Sequence, residues 1–339
     1  MDRTKVTICG GGSLGHTVAG YLSGKMGYDV RILTRRPDKW NYAIRINTPS
    51  ESYTSSFSAI SSDPSVILKD AGVIILCLPG TAYREELIKI MPFIHPDAWV
   101  GGIFCSGGFF FDALEILPPD IPTWGFQRVP FISRTLKYGE EANLLSFRDS
   151  YKIAVENADN DEKELIRKWV EISFSRPTDL LNNYLEASIT NSNPLLHTAR
   201  LFTMFGGYQP ADSFGRMIMF YAEWNDEASI ILDKMDKELF RLIDRLPVDK
   251  NFLVPIMKYY DSETPAQMTA KIRSIEGFKT INSPMKEVDG KWIPDFSSRY
   301  FNEDFGKGLK MIHDLAHEYN VDTPTIDMVY EWGISKLKK

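Results

Sequence analysis

Short apolar runs alternate with amphipathic stretches through the first half of the chain. The apolar runs predict β-strands over residues 5–9, 28–34, 73–78, 99–104 and 151–155. The stretches between or beside them predict helices over 16–26, 85–91 and 162–172. The run 73–78 has no polar position, as expected of a parallel strand that is buried on both faces. Strands that alternate with helices in this way favour a parallel, doubly wound sheet.

The pattern changes near residue 180. From 180 to 246 nearly every position fits a helical period, with Pro194 and the pair Gly206-Gly207 as interruptions. Further helices are predicted over 265–274 and 303–319, and the Pro- and Gly-containing stretch 278–298 between them is predicted to be irregular. We therefore predict an α/β fold of two domains. A Rossmann domain spans 1–180, and a mostly α-helical C-terminal domain spans 181–339.

Composition and charge exclude several classes of protein. The chain has 339 residues, which favours two domains, and 43% of them are hydrophobic, so both domains can form cores. A net charge of -6 without a basic stripe argues against nucleic acid as a partner. No apolar run is long enough to span a bilayer, and the N-terminus lacks a signal-peptide core, so no membrane association is expected.

The three cysteines indicate the compartment. Cys9, Cys77 and Cys105 lie in or beside apolar runs and have no disulfide-framework spacing. An odd number of buried thiols suggests a reducing compartment, and the cytoplasm is the expected location. The oligomeric state stays open at this point, and a homodimer is one option.

The segment 10–15, GGGSLG, is a dinucleotide-binding turn in the right context, because it follows a strand and opens a helix. Gly10 permits the tight turn, Gly12 lets the backbone approach a pyrophosphate, and Gly15 lets the helix pack close to the strand. The amides of Ser13 and Leu14 then belong to a helix N-terminus, where the macrodipole favours an anion.

The end of the second strand indicates which nicotinamide dinucleotide binds. Sites that prefer NAD carry an acid there, whereas this chain has Thr34, Arg35 and Arg36. Guanidinium groups suit a 2′-phosphate, so NADP is favoured, and NAD remains the alternative. Leu78 and Pro79, where the third strand ends, are assigned to the same site because ligands bind at the carboxyl ends of parallel strands.

Candidate acid–base chemistry lies in the second half. Asn193 and His197 are four residues apart and share one helix face, where an imidazole can exchange protons near neutral pH. A histidine on an apolar helix is also commonly a core residue. Further along, Arg299 can clamp a carboxylate and Asp304 can orient a histidine. The alternative is that residues 302–304 only cap the helix that follows.

At this point the chain resembles the opine dehydrogenases, the octopine and nopaline dehydrogenase-like enzymes. The resemblance rests on segments spread over nearly its whole length: 10–15 (GGGSLG), 129–139 (VPFISRTLKYG), 192–198 (SNPLLHT), 299–309 (RYFNEDFGKGL) and 321–327 (VDTPTID). The resemblance implies a Rossmann domain joined to a helical domain. It also implies reductive coupling of an amino acid's amine to a 2-oxo acid, giving a secondary amine dicarboxylate.

The resemblance also implies roles for individual residues. His197 corresponds to the family's catalytic histidine, Asp304 to its partner acid and Arg299 to the arginine that grips a substrate carboxylate. Asn193 corresponds to the asparagine one helical turn before the histidine. The fit over 278–298 is loose, so the identities of the amino acid and of the oxo acid are not carried over.

Three other candidates carry less weight. Arg134 is assigned to substrate, with a structural ion pair as the alternative. His16 is expected either to line the cofactor or to lie on the helix surface. The segment 313–317, HDLAH, imitates the HExxH zinc helix, but it has Asp where the mechanism needs Glu, and no third ligand is evident. No metal is expected.

Two rival functions remain. A 2-oxo acid reductase similar to ketopantoate reductase would reduce a carbonyl without an amine. A non-catalytic NADP-sensing protein would bind the dinucleotide in order to regulate a partner, and it would need no acid–base residue.

Overall fold

The computed structural model describes residues 1–189 and 193–337, and the chain forms two compact units, Met1–Ile189 and Thr190–Lys339. Residues 190–192 lie outside the described part, and with them Ser192, the first residue of the segment 192–198 used above. The sequence placed the boundary at 180/181, whereas the contacts keep the following short helix with the first unit. Within the described ranges, no helix has the length and apolar character that spanning a bilayer requires.

The first unit is an α/β structure. Its strands, in chain order, are β1 (Lys5–Cys9), β2 (Asp29–Leu33), β3 (Ala43–Asn47), β4 (Ser52–Ser56), β5 (Ala59–Ser61), β6 (Val73–Leu76), β7 (Trp99–Gly102), β8 (Thr123–Phe126), β9 (Phe131–Lys137), β10 (Glu141–Phe147), β11 (Tyr151–Glu156) and β12 (Thr178–Leu180). Its helices are α1 (Ser13–Gly24), α2 (Pro64–Ile67), α3 (Tyr83–Ile90), α4 (Phe109–Ile116), α5 (Asn160–Phe174) and α6 (Tyr184–Ser188).

The main sheet has eight strands in the order β12-β11-β8-β7-β6-β1-β2-β5. All neighbours are parallel except β11 and β8, which are antiparallel. The central strand β6 is buried at every position, which is the burial predicted from its unbroken apolar run. The predicted Rossmann-type, doubly wound sheet is confirmed.

A second, four-stranded sheet in the order β4-β3-β10-β9 was not predicted. Its strands are half polar, so they lack the apolar runs that marked the main sheet. The sheet packs on α1, where glycines allow close approach. A Cβ on Gly20 would lie 2.4 Å from the Ile46 side chain, and the Ser55 hydroxyl donates to the Gly20 carbonyl at 2.7 Å. This contact joins α1, the helix that follows the glycine turn, to a second layer.

The second unit is mostly helical, as predicted. Its helices are α7 (Asn193–Phe205), α8 (Asp226–Ile243), α9 (Ile256–Tyr259), α10 (Pro265–Ser274), α11 (Lys310–Glu318) and α12 (Pro324–Leu337), and a π-helix spans Tyr300–Leu309 and runs directly into α11. The predicted helix over 303–319 therefore begins earlier. Since residues 302–304 lie inside the π-helix, the interpretation that they only cap a helix is wrong.

Two further predictions for this unit are wrong. Residues 207–225 are not helical, because Gly206-Gly207 ends α7 and the backbone beyond it pairs elsewhere, through bridges at Phe214–Trp292 and Met219–Asn282. The stretch predicted to be irregular contains a hairpin of β13 (Met285–Val288) and β14 (Lys291–Pro294). Its turn residues Asp289 and Gly290 have φ of 51° and 74°. Asp-Gly is a strong hairpin signal that the sequence analysis passed over.

Candidate active site

The glycine turn between β1 and α1 is held by backbone geometry. Gly10 has φ of 121°, a conformation that favours glycine, and its amide donates to the Leu33 carbonyl at 3.0 Å. A Cβ on Gly15 would lie 2.1 Å from the Gly10 carbonyl oxygen, so only glycine lets α1 start so close to the turn. At Gly12, by contrast, an added Cβ meets no protein atom within 4 Å. The space over Gly12 is therefore open to a ligand.

The N-terminus of α1 suits an anion. Gly12 is its N-cap residue, no side chain of the described residues caps the helix, and its first turn holds no acid. The first amides therefore stay available to a phosphate, and the helix dipole favours negative charge there. The Ser13 hydroxyl is engaged by β9, since it accepts from the Thr135 amide at 3.0 Å. Ser13 thus offers a ligand its backbone amide.

A cavity of about 570 Å³ opens over this turn. It brings together seven of the predicted cofactor residues, Gly10, Gly12, Thr34, Arg35, Arg36, Leu78 and Pro79, whereas Ser13, Leu14 and Gly15 are not part of its lining. Arg35 and Arg36 are exposed at its rim. A cavity with an uncapped helix N-terminus, an open glycine and two arginines fits a phosphorylated dinucleotide.

Tyr138 is a cavity residue that the sequence analysis missed, although it lies within the segment 129–139. Its hydroxyl would be 2.3 Å from a Cβ on Gly11, and it lies 3.4 Å from the Thr34 hydroxyl. The unpredicted β9–β10 hairpin carries this ring to the glycine turn. The sequence feature that could have predicted a turn at Tyr138 is the glycine that follows it. In the structure Gly139 has a φ of 71°, as a tight turn requires.

His16 is neither a surface residue nor a residue of the cavity lining. It is buried, its Nδ1 lies 2.9 Å from the Gly12 carbonyl oxygen, and its Nε2 accepts from the Gly139 amide at 2.7 Å. Burial lowers the pKa of His16, which is consistent with a neutral ring that donates from Nδ1. Its imidazole stacks on Trp40 at 4.1 Å. His16 therefore connects the glycine turn to the Tyr138 loop.

In the second unit, the fold brings His197 together with Asp304 and with Tyr221, which the sequence analysis missed. His197 Nδ1 lies 2.8 Å from Asp304 Oδ2, and Nε2 lies 2.7 Å from the Tyr221 hydroxyl. A carboxylate only accepts hydrogen bonds, so Nδ1 donates to Asp304, while Nε2 is hydrogen-bonded to the Tyr221 hydroxyl. Burial raises the pKa of Tyr221 well above its ordinary value, which keeps the hydroxyl protonated as a donor.

This cluster is enclosed by aromatic rings. His197 is 8% exposed, and the rings of Tyr300 and Phe220 lie 4.9 and 5.6 Å from its imidazole. In such surroundings the interactions of a charged imidazole are little screened by water. A buried histidine that contacts a carboxylate and a phenol is an arrangement suited to proton transfer.

The π-helix explains the five-residue spacing between Arg299 and Asp304. An α-helix would turn residues five apart away from each other, whereas i→i+5 bonding places them about one turn apart on one side. Arg299 is exposed at the start of this helix, where its guanidinium is accessible to an anion. Asn193 is the first residue of α7, one turn before His197, as predicted.

Arg200 holds the segment that carries Tyr221. It lies on α7, three residues after His197, and is buried. Its guanidinium donates to the Phe220 carbonyl at 3.0 Å and to the Glu223 carbonyl at 2.7 Å, on either side of Tyr221. Burial lowers the pKa of Arg200 to about 10, so the side chain stays charged at neutral pH. Helix α7 thus carries the imidazole and also fixes the residue that contacts it.

One predicted substrate residue and one unpredicted cluster lie apart from these two sites. Arg134 is an exposed residue of β9 in the first unit. In the second unit, the structure adds to His313 and His317 a carboxylate that the sequence analysis did not find, that of Asp327.

Comparisons with known proteins agree with these features. The family described as "NAD/NADP octopine/nopaline dehydrogenase, alpha-helical domain" matches residues 180–337. The tauropine dehydrogenase of Arabella iricolor is 24% identical, over 98% of this chain and 91% of its own. An octopine dehydrogenase structure with NADH and L-arginine has a TM-score of 0.84 at 21% identity, covering 98% of this chain and 89% of that one. A 2-dehydropantoate 2-reductase structure from Geobacter metallireducens has a TM-score of 0.67 at 11% identity, covering 97% and 99%.

The fold and the dinucleotide turn define a nicotinamide-dependent dehydrogenase. Residues 180–337 match the octopine/nopaline dehydrogenase family model, and dehydrogenases of the opine type align over nearly the whole chain, which agrees with the resemblance drawn from its sequence. The likeness to the 2-dehydropantoate reductase shows a shared fold and nothing about function, because the two sequences are only 11% identical.

Proposed function

We propose that this dehydrogenase condenses the amine of an amino acid with a 2-oxo acid and reduces the product to a secondary amine dicarboxylate. The observation that carries the proposal is the buried His197, with one ring nitrogen on Asp304 and the other on Tyr221. Condensation needs a group that both gives and takes protons, and this cluster has that chemistry. A protein that only sensed the dinucleotide would have no use for it.

The proton steps follow from the chemistry of imine formation. The amine nitrogen attacks the carbonyl carbon of the oxo acid and loses a proton, and the carbonyl oxygen takes one. A second proton lets that oxygen leave as water, a C=N bond forms, and the nitrogen gives up its other proton. In the proposal His197 delivers protons to the oxygen and takes them from the nitrogen, while Asp304 stabilises the imidazolium. When bound, the reduced nicotinamide supplies the hydride that converts the C=N carbon to a saturated one.

Substrate binding is assigned to the arginine and the asparagine near this cluster. Arg299 is exposed at the start of the helix that carries Asp304, and a guanidinium pairs with a carboxylate through two parallel hydrogen bonds. In the proposal it grips the carboxylate of the oxo acid. Asn193 positions the reacting group from one helical turn before His197. Arg134 remains a candidate for substrate binding, supported only by its exposure.

NADP is the proposed dinucleotide. Arg35 and Arg36 are exposed at the rim of the first unit's cavity, where β2 ends, and the strand end carries no acid. Phosphate charge is stabilised by such a pair, whereas a ribose hydroxyl would be better held by a carboxylate. The pyrophosphate is assigned to Gly12 and to the first amides of α1, Ser13 and Leu14. Location in the cytoplasm and assembly as a homodimer stay predictions.

The experiment is NADPH oxidation measured with a panel of 2-oxo acids, each with and without amino acids. We expect oxidation that depends on the amine. Oxidation that proceeds without any amine would favour the 2-oxo acid reductase. Tight NADPH binding with no turnover on the whole panel would favour the sensor.

The roles of His197 and Asp304 are tested by substitution. His197→Ala and Asp304→Asn should each lower turnover by roughly 100-fold or more, because the proton step loses its acid–base group or the partner of that group. NADPH affinity, measured by fluorescence titration, should stay the same. His95→Ala, at an exposed histidine of the first unit, is the matched control. Near-normal turnover of folded His197→Ala would contradict the assignment.

A further inference from the structure

We propose that helices α11 and α12 bind one zinc-class divalent metal ion between His313, His317 and Asp327, outside the groups assigned to the reaction. The two histidines are four residues apart on α11, so both rings lie on one helix face. Asp327 comes from the first turn of α12. One ligand atom of each residue lies within 4.8 Å of the other two.

The distances suit a tetrahedral ion. His317 Nε2 lies 3.6 Å from Asp327 Oδ1, and His313 Nε2 lies 3.9 Å from the same oxygen. Zinc binds histidine nitrogen and carboxylate oxygen at about 2.0–2.2 Å, which places two ligands of a tetrahedron about 3.4 Å apart. The two histidine nitrogens lie within 4.8 Å of each other, so side-chain rotations of about 1 Å would complete the site, with water in the remaining position. Imidazole with carboxylate is a donor set that zinc accepts.

Neighbouring side chains orient the ligands in the way metal sites require. His313 Nδ1 lies 3.2 Å from Asp314 Oδ1, so Nδ1 donates to that carboxylate and Nε2 faces the cluster. The ring of Tyr330 lies 4.2 Å from the His313 ring, and Thr323 donates to Asp327 at 3.0 Å. His313 and Asp327 thus each have a neighbouring group that orients them.

The three residues present a compact donor set. The imidazole ring centres of His313 and His317 lie 4.3 Å apart. One divalent ion between them would contact both ring nitrogens and the Asp327 carboxylate together.

The ion would join the last two helices of the second unit. Helix α11 continues the π-helix that carries Asp304. A metal ion that links α11 to α12 would therefore stabilise that region without taking part in the reaction. The protease chemistry of HExxH does not follow. Asp314 is paired with Lys310 and His313, so it is not placed as a general base for a bound water.

The test is calorimetric titration of the full chain with Zn²⁺ after treatment with a chelator, at neutral pH. We expect one ion per chain. His317→Ala should bind at least about tenfold more weakly, because a ligand is lost, and Asp314→Asn about tenfold more weakly, because the His313 ring loses its orienting partner. The His317 side chain is 61% exposed, so its replacement should leave the fold intact. His95→Ala, outside the cluster, should bind as the wild type does.

Two further measurements distinguish one defined metal site from non-specific metal binding at the surface. Co²⁺ should give the visible absorption of a tetrahedral centre in the wild type and lose it in His317→Ala. Zn²⁺ should raise the melting temperature of the wild type but not of His317→Ala, while NADPH-dependent turnover is the same in both. Equal Zn²⁺ affinity in the wild type and His317→Ala would overturn the proposal, as would a wild type without a cobalt spectrum.

Discussion

The glycine turn of the first unit and the His197 cluster of the second are built in opposite ways. At the turn, dinucleotide binding is assigned to backbone amides and to glycines whose lack of a side chain leaves room for the ligand. All of them lie within residues 10–15. The cluster is made of side chains from α7, the 207–225 segment and the π-helix. A local motif can be recognised from the sequence, whereas a cluster drawn from three segments depends on how the chain folds. The two regions should therefore respond differently to substitution.

The largest effect on dinucleotide affinity is expected at Gly12. Gly12→Ala meets no protein atom and has an ordinary φ of -81°, so the free energy of unfolding should change by less than about 1 kcal/mol. The new methyl group would occupy the space assigned to the pyrophosphate, and NADPH affinity should fall about 100-fold, or about 2.7 kcal/mol. Fluorescence titration and urea unfolding measure the two effects.

Gly207→Ala, in open space within the second unit, is the control for this substitution. If Gly12→Ala binds NADPH as tightly as the wild type does, the glycine turn is not the phosphate site. The assignment of dinucleotide binding to the backbone of this turn is then wrong.

The next effect concerns the arginine pair. Replacing Arg35 and Arg36 together by alanine should weaken NADPH binding about 30-fold, because charge-assisted hydrogen bonds to the 2′-phosphate are lost. NADH lacks that phosphate, so its affinity should change less than about threefold. Dissociation constants for both dinucleotides measure this, and Lys39→Ala, which removes one exposed positive charge outside the cavity lining, is the control. An equal loss for NADH and NADPH would remove the basis for preferring NADP.

Tyr221→Phe tests the second region with a smaller effect. The ring and its stacking on Phe278, at 4.2 Å, are kept, and only the hydroxyl on His197 Nε2 is lost. If protons pass through that hydroxyl, kcat should fall about tenfold, in line with one hydrogen bond of about 1.4 kcal/mol. Steady-state kinetics with Tyr319→Phe as control measure it. Unchanged or faster turnover would mean that Tyr221 moves aside and His197 acts on the substrate directly.

The smallest effect is on stability and its pH dependence in the second unit. Burial raises the pKa of Asp236 to about 6, although its Oδ2 accepts from the Ile256 amide at 2.9 Å. Between about pH 4 and 6 the folded state therefore holds a proton that the unfolded state releases. The energetic penalty of the buried charge is full above pH 6 and disappears as the pH falls towards 4.

Asp236→Asn should accordingly raise the free energy of unfolding by about 1 kcal/mol at pH 8 and by nothing at pH 4, as an amide accepts the same bond without a charge. Urea unfolding at both values measures this. Asp244→Asn, at an exposed residue paired with Lys250, should show no such pH-dependent gain. A gain of the same size at pH 4 would exclude burial of charge as the cause.

The predictions that failed have a common physical origin. The β3–β4 and β9–β10 hairpins alternate polar and apolar positions weakly, because many of their side chains are exposed or only half-buried. Residues 207–225 have helical periodicity, but their backbone groups bond instead to β14 and to the buried Arg200. Tertiary partners override local preference in each case. Tyr138, Tyr221 and Arg200 all lie in or contact these segments, which is why the sequence analysis missed them.

The sequence by itself determined the main sheet, the glycine turn and the family resemblance, because each depends on residues adjacent in the chain or on segments whose order is preserved. It also singled out His197 and Asp304 from their chemistry and spacing, and the resemblance then implied their pairing. The tertiary structure alone decided that these two touch, that Tyr221 occupies the other ring nitrogen, and that Asp327 meets His313 and His317. Such contacts join residues far apart in the sequence, and local periodicity carries no information about which distant side chains the packing brings within hydrogen-bonding distance.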